Sequence, residues 1–159
     1  MGVVDFTRTI VQVPALLALK KGMRPRPLNT RDSVGAMVER TAEAYPDRVA
    51  VLFEGQQRTW EELNALANRY ARVFQSQGLI RGDAVSVFME NRIEFLATVI
   101  ALHKLGATAA LINTNLRGRP LTHCAQITGS TWLVFGEELA DAVVEGPFAR
   151  AGLEAVVLS

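Results

Sequence analysis

Cysteine is almost missing from this chain. A single residue, Cys124 among 159, excludes an internal disulfide and a four-cysteine zinc site, and it suits a reducing compartment. Long apolar runs are missing too. The stretch 9–19 (TIVQVPALLAL) falls well short of the ~20 residues that span a bilayer, and Pro14 interrupts it. It has no small-residue cleavage pattern behind it, so it does not read as a secretory signal. Charge of one sign is absent as well: 17 Lys and Arg face 16 Asp and Glu, which removes the electrostatic case for a nucleic-acid partner. Internal repeats and low-complexity segments are likewise lacking.

What is present is an apolar fraction of 49% with 21% charged residues, the balance of a chain that folds around a core rather than a disordered one. The charge is unevenly placed. Residues 1–31 carry Arg8, Lys20, Lys21, Arg24, Arg26 and Arg31 against Asp5 alone, a local +5 that leaves −4 on the remainder. An anionic partner would meet this end first. An apolar stretch flanked by bases fits a helix lying in a membrane surface through residues 1–22, and it equally fits a helix packed on the chain's own core. The run Lys20 to Pro27 (KKGMRPRP) reads as a connector. The expected organisation is therefore an apolar and basic segment over 1–29 and a folded domain over 30–159.

Within that domain the periodicities are legible. Asp32 or Ser33 can cap a helix whose Val34, Met37, Val38, Thr41, Ala42 and Tyr45 fall at helical spacing, ending at Tyr45-Pro46. Residues 49–54 and 57–59 read as a small hairpin turning at Gly55-Gln56. Thr59 and Glu62 form a capping box for a helix that buries Leu63, Leu66, Ala67, Tyr70 and Phe74 and closes at Gly78. Apolar runs at 84–89, 107–112, 131–135 and 154–158 then alternate with helix-length segments. That rhythm predicts parallel strands joined by crossover helices. The first of these helices, about 92–105, is apolar on most sides and ends at Gly106. Pro120 suits the first turn of the next, with Leu121, Cys124, Ala125 and Thr128 on one face. The expected fold is α/β: an incomplete parallel sheet with flanking helices, a small N-terminal hairpin and a helical segment. The last run, Val156-Val157-Leu158, would leave a fresh sheet edge at the chain end, so the sequence reads as truncated.

No complete catalytic or nucleotide-binding motif is present. Thr128-Gly129-Ser130-Thr131 has small hydroxyl residues that can offer backbone N–H groups to phosphate. It has one glycine and no following lysine, and it reads as an ordinary helix-to-strand turn. His123 and Cys124 are sequence neighbours about 100° apart on a helix and do not face each other. His103 complements a helix dipole. The segment that stands where sites form is Asn113-Thr114-Asn115-Leu116-Arg117, after the second parallel strand, because open α/β sheets bind ligands outside the carboxyl ends of their strands. Asn113, Asn115 and Arg117 are the candidate substrate-binding residues, and plain turn and cap duties are the alternative for them.

A succession of patterns carries a resemblance: Ala44-Tyr45-Pro46-Asp47, Thr59-Trp60-Glu61-Glu62-Leu63-Asn64, Gly82-Asp83-Ala84-Val85, Asn91 with Glu94-Phe95-Leu96, Lys104-Leu105-Gly106-Ala107, and Leu111 to Gly118. In this order they resemble the start of the adenylate-forming, AMP-binding acyl-CoA synthetases. The run Ile112 to Cys124 (INTNLRGRPLTHC) is similar to the fatty acid transport protein and very-long-chain acyl-CoA synthetase branch, with Thr114 where many other branches carry proline. The resemblance implies ATP- and magnesium-dependent formation of a fatty acyl-adenylate and its transfer to coenzyme A; the expected location is cytoplasmic, with residues 1–22 as the candidate for peripheral membrane contact. It also implies that the phosphate-binding loop and the catalytic lysine lie beyond the equivalent of Ser159, so that this chain alone is inactive, with no catalytic or metal-binding residue of its own and no cofactor bound productively. A ligase for another carboxylic acid, aryl or carnitine-like, and a non-catalytic binding or membrane-associating remnant are the rival readings.

Overall fold

Ser33 starts the first described helix by accepting a hydrogen bond from the Ala36 N–H at 3.1 Å, which satisfies one of the donors a helix start leaves free. The computed structural model describes residue 20, residues 32–144 and residues 154–158. The chain divides into two units, Met1–Arg31 and Asp32–Ser159. Apart from Lys20, the apolar stretch, the connector and the expected domain start near Thr30 lie outside the described residues. The sheet, the hairpin and their flanking helices all belong to the second unit.

Helix α1 (Val34–Ala44) buries Gly35, Val38 and Ala42 and ends at Tyr45, because the residue before a proline is pushed out of helical backbone. Strands β1 (Val49–Phe53) and β2 (Gln56–Thr59) pair antiparallel. Their turn is Glu54-Gly55, at φ 49° and 77°, the left-handed pair that a two-residue type I′ hairpin requires. It falls one residue earlier than the sequence suggests, since Gln56 already pairs with Phe53. Helix α2 (Trp60–Ser76) opens on the expected capping box. The Glu62 N–H donates to Thr59 Oγ1 at 3.2 Å, and the Thr59 N–H donates to Glu62 Oε2 at 2.9 Å. It buries Leu63, Ala67, Ala71 and Phe74.

The remaining elements build the sheet: β3 (Ala84–Phe88), α3 (Ile93–Leu105), β4 (Thr108–Leu111), α4 (Gly118–Ile127), β5 (Trp132–Gly136), a 3-10 turn (Glu137–Leu139), α5 (Ala140–Val144) and β6 (Glu154–Leu158). The strand order is β4-β3-β5-β6, and every pairing is parallel, with Val85 opposite Ala109 on one side and opposite Trp132 on the other. The parallel arrangement expected from the spacing of the apolar runs is thus present.

Alternation along β3 separates two cores. Val85, Val87 and Met89 face Phe74 of α2 and Ala101 and Leu102 of α3. Phe88 faces the other way, onto Leu121 and Ala125 of α4, with Leu133 and Leu139 beside it. A third cluster joins Val38 of α1, Leu63 and Ala67 of α2, and Ile93, Ala97 and Ile100 of α3. Helices therefore cover both faces, which is why β3 and β5 are near-continuous apolar runs rather than alternating ones. Leu102, Leu121 and Leu133 are fully buried, and each such side chain stabilises the fold by about 1.5–3 kcal/mol.

Candidate functional site

Parallel strands present all their carboxyl ends on one rim, and this rim holds the loops after β3, β4 and β5. A pocket of about 200 Å³ lies there, walled by Met89, Glu90, Asn91 and Phe95 on the β3 side and by Ile112, Asn113 and Thr114 on the β4 side. Asn91 and Phe95 also wall an adjoining groove of about 290 Å³, whose remaining sides are Val51, Phe53, Arg92 and Leu96. The groove is apolar on most sides, because the hairpin and the first turn of α3 turn their hydrophobic residues toward each other.

Of the three residues singled out by sequence, Asn113 lines the strand-end pocket. Its Oδ1 also accepts the Asn115 N–H at 2.9 Å, and its carbonyl accepts the Leu116 N–H at 3.1 Å, so it shapes the loop as well. Asn115 and Arg117 are not among the residues lining that pocket. Arg117 folds back on its own loop, with Nη1 donating to the Thr114 carbonyl at 2.6 Å and to the Leu116 carbonyl at 2.8 Å. Asn91 and Phe95 were visible in the sequence only as parts of a pattern, and nothing in their spacing marks them as pocket walls.

The charged groups of the rim form a chain. Arg92 Nε donates to Glu94 Oε2 at 2.9 Å and Arg92 Nη1 donates to Glu138 Oε2 at 2.9 Å. Burial pushes the Glu94 carboxyl up, but the hydrogen bond from Arg92, one from its own backbone N–H and the charges of Arg92 and Arg58 outweigh it, so the group sits below its ordinary range. The hydrogen bond to Glu94 in turn raises Arg92, against some opposition from burial. Burial, followed by the Glu94 charge, raises the Tyr70 phenol. Tyr70 and Glu94 sit with Arg58, Glu62 and Arg69 around a separate polar hollow of about 450 Å³.

The loop Thr128–Thr131 has an internal occupation. Ser130 is buried, and its Oγ accepts the Ser86 N–H at 2.7 Å and lies 2.9 Å from the Ala84 carbonyl, so the hydroxyl joins the turn before β5 to β3. His123 is exposed and Cys124 half-buried. His103 Nδ1 is buried and has no hydrogen-bond partner among the described residues. Among the described residues no group of three or more His, Cys, Asp or Glu is placed to hold a metal ion. No described helix is long and apolar enough to cross a membrane.

An open parallel sheet wound on both faces, with a pocket on the carboxyl rim, defines an α/β domain of the doubly wound kind, a class that takes its ligands at that rim. The profile of the AMP-binding enzyme family matches residues 38–157, and the chain belongs to that family. It is 35% identical over 140 residues to long-chain fatty acid transport protein 1 of Bos taurus, covering 87% of this chain and 22% of that protein. It is 31% identical over 153 residues to the medium/long-chain-fatty-acid–CoA ligase FadD6 of Mycobacterium tuberculosis, covering 96% of this chain and 26% of the other. Its fold matches the crystal structure of the N-terminal domain of FACL13 from Mycobacterium tuberculosis with a TM-score of 0.70 at 27% identity, over 79% of this chain and 33% of that one. The chain spans about a quarter of the length of the two curated relatives.

Proposed function

We propose that this chain is the amino-terminal part of a long-chain or very-long-chain fatty acid–CoA ligase, in which ATP converts the acid to an acyl-adenylate and coenzyme A then takes the acyl group. The observation that carries the reading is the pair of relatives, a fatty acid transport protein and a fatty-acid–CoA ligase, each matched over most of this chain. A rim pocket that shares Asn91 and Phe95 with an apolar groove, lined further by Val51, Phe53 and Leu96, is consistent with an aliphatic substrate. In this reading Asn113 faces the ligand directly, while Asn115 and Arg117 hold the loop that presents it.

No role toward magnesium or a triphosphate is proposed for the described residues. They offer no cluster of metal-ligating side chains, and the Ser130 hydroxyl is already engaged by β3. No catalytic step is assigned to them. Adenylation needs donors arranged around one reacting centre, and removal of even one such donor costs about 100-fold or more. The 159-residue chain on its own is therefore expected to give only background fatty-acid-dependent exchange of radiolabelled pyrophosphate into ATP, with palmitate and a longer acid as substrates and a full-length relative as positive control. Exchange that requires both this chain and the acid would refute the reading of the chain as inactive alone. In the complete enzyme we place the protein in the cytoplasm, with residues 1–22 against a membrane surface.

A further inference from the structure

In the order β4-β3-β5-β6 the chain leaves β3 toward one edge of the sheet and leaves β5 toward the other. The crevice between the carboxyl ends of β3 and β5 is thus the topological switch point, the place where such sheets take ligands. Here one carboxylate spans it. Glu138, in the turn after β5, accepts the Glu90 N–H on Oε1 at 3.0 Å and Arg92 Nη1 on Oε2 at 2.9 Å. Both donors belong to the β3–α3 loop. Arg92 is held from its other side by Glu94.

Gly136 makes the room. A Cβ at this position would collide with the Glu138 carboxylate, while its φ of −77° is one that any residue adopts. A side chain at residue 136 would therefore displace the movable carboxylate end of Glu138 rather than strain the backbone. The Arg92 and Glu138 side chains are 28% and 29% exposed, so charge attraction alone would do little. Two charge-assisted bonds to the two oxygens of one carboxylate, one of them from a backbone amide, fix direction as well as distance.

We infer that Glu138 is a positioning residue that staples the β3–α3 loop to the end of β5, and thereby fixes Asn91 and Phe95, the wall shared by the rim pocket and the apolar groove. That this wall meets an acyl substrate rests on the function proposed above. That Glu138 holds it rests on geometry alone.

The test is amide hydrogen exchange, read residue by residue by NMR on the full 159-residue chain without substrate, so failure of the staple and failure of the acyl-activating reading are separate outcomes. Glu138→Ala is expected to speed exchange at the Glu90 amide by about tenfold or more, the weight of one charge-assisted hydrogen bond. The Ser86 amide, held by Ser130, should keep its protection. Gly136→Ala displaces the carboxylate without removing it and should expose Glu90 similarly, yet add nothing in an E138A background. Glu138→Gln keeps an acceptor oxygen and loses the charge facing Arg92, so its Glu90 exchange should fall between wild type and E138A. Unchanged Glu90 exchange in E138A, or a G136A effect undiminished when residue 138 is already alanine, would overturn the inference. If E138A also loses Ser86 protection, G136A and E138Q decide. Glu90 exposed in G136A but still partly protected in E138Q, with Ser86 protected in both, supports the staple, and any other pattern overturns it.

Discussion

The Ser130 hydroxyl lies 2.7 Å from the Ser86 amide nitrogen, tying the turn two residues ahead of β5 to the middle of β3. Ser86 is fully buried, so its N–H has no recourse to water. Ser130→Ala leaves that donor unsatisfied and is expected to destabilise the chain by about 1–3 kcal/mol. Urea denaturation followed by circular dichroism measures the loss. A midpoint equal to wild type would show that the β3 amide finds another partner.

Gly35 sets how closely α1 approaches α3. A Cβ there would stand 2.9 Å from the backbone N and Cα of Lys104, and backbone cannot step aside as a flexible side chain can. Replacing a helical glycine by alanine is worth at most about 0.5–1 kcal/mol in propensity, the interior value, against about 1–3 kcal/mol for overpacking. The steric cost is the larger, so Gly35→Ala should lower stability, and Gly35→Leu should lower it further. Thermal melts of the two variants rank them, and a G35A chain more stable than wild type would contradict the close contact.

Glu94 links the rim to pH. Its carboxyl is held below the ordinary range in the folded chain, so its contribution to stability is complete above the unfolded glutamate pKa of about 4.3. That contribution is lost as pH falls through the lower folded value. Glu94→Gln should therefore flatten the fall in unfolding free energy on the acid side of pH ~4.3 and leave the slope near neutrality unchanged. Parallel slopes for variant and wild type below that pH would show that other carboxylates carry the acid sensitivity.

Deleting residues 1–22 removes Arg8, Lys20 and Lys21 and the apolar stretch between them. The expected result is a smaller fraction sedimenting with anionic phospholipid vesicles, most evident at low salt because the attraction is screened, with the far-ultraviolet spectrum of the folded domain retained. Unaltered sedimentation would remove the membrane reading. Loss of folding would instead identify the segment as part of the core.

Local signals were legible wherever the residues that make a feature lie within a turn of one another. Thr59 and Glu62 are three positions apart and their reciprocal bonds could be read directly, as could the termination at Tyr45-Pro46, whereas the first cap was narrowed only to Asp32 or Ser33, of which Ser33 makes the bond. The hairpin turn was displaced by one residue because Glu54 adopts a left-handed φ of 49°, which composition does not announce in a glutamate. The parallel strands were legible from their spacing, but the placement of β3 between β4 and β5 was not, since it depends on which faces the crossover helices cover. Asn113 was legible as a strand-end residue because it stands two positions after β4. The wall opposite it was not, because the partners of Arg92 and Glu90 at Glu138 are 46 and 48 positions away and no periodicity connects them.

The strand order also carries a kinetic implication. β3 and β4 pair across one short crossover, and β5 and β6 across another, whereas the β3–β5 seam joins segments much farther apart in sequence. Loop-closure entropy favours the nearer pairings first, so we expect two halves that form early and a seam between them that forms last. High φ-values across the β3–β5 contact, ahead of those within β3–α3–β4, would contradict this order. The seam that closes last is the one Ser130 pins at its base and Glu138 at its rim, so the pocket wall would acquire its shape in the final step of folding.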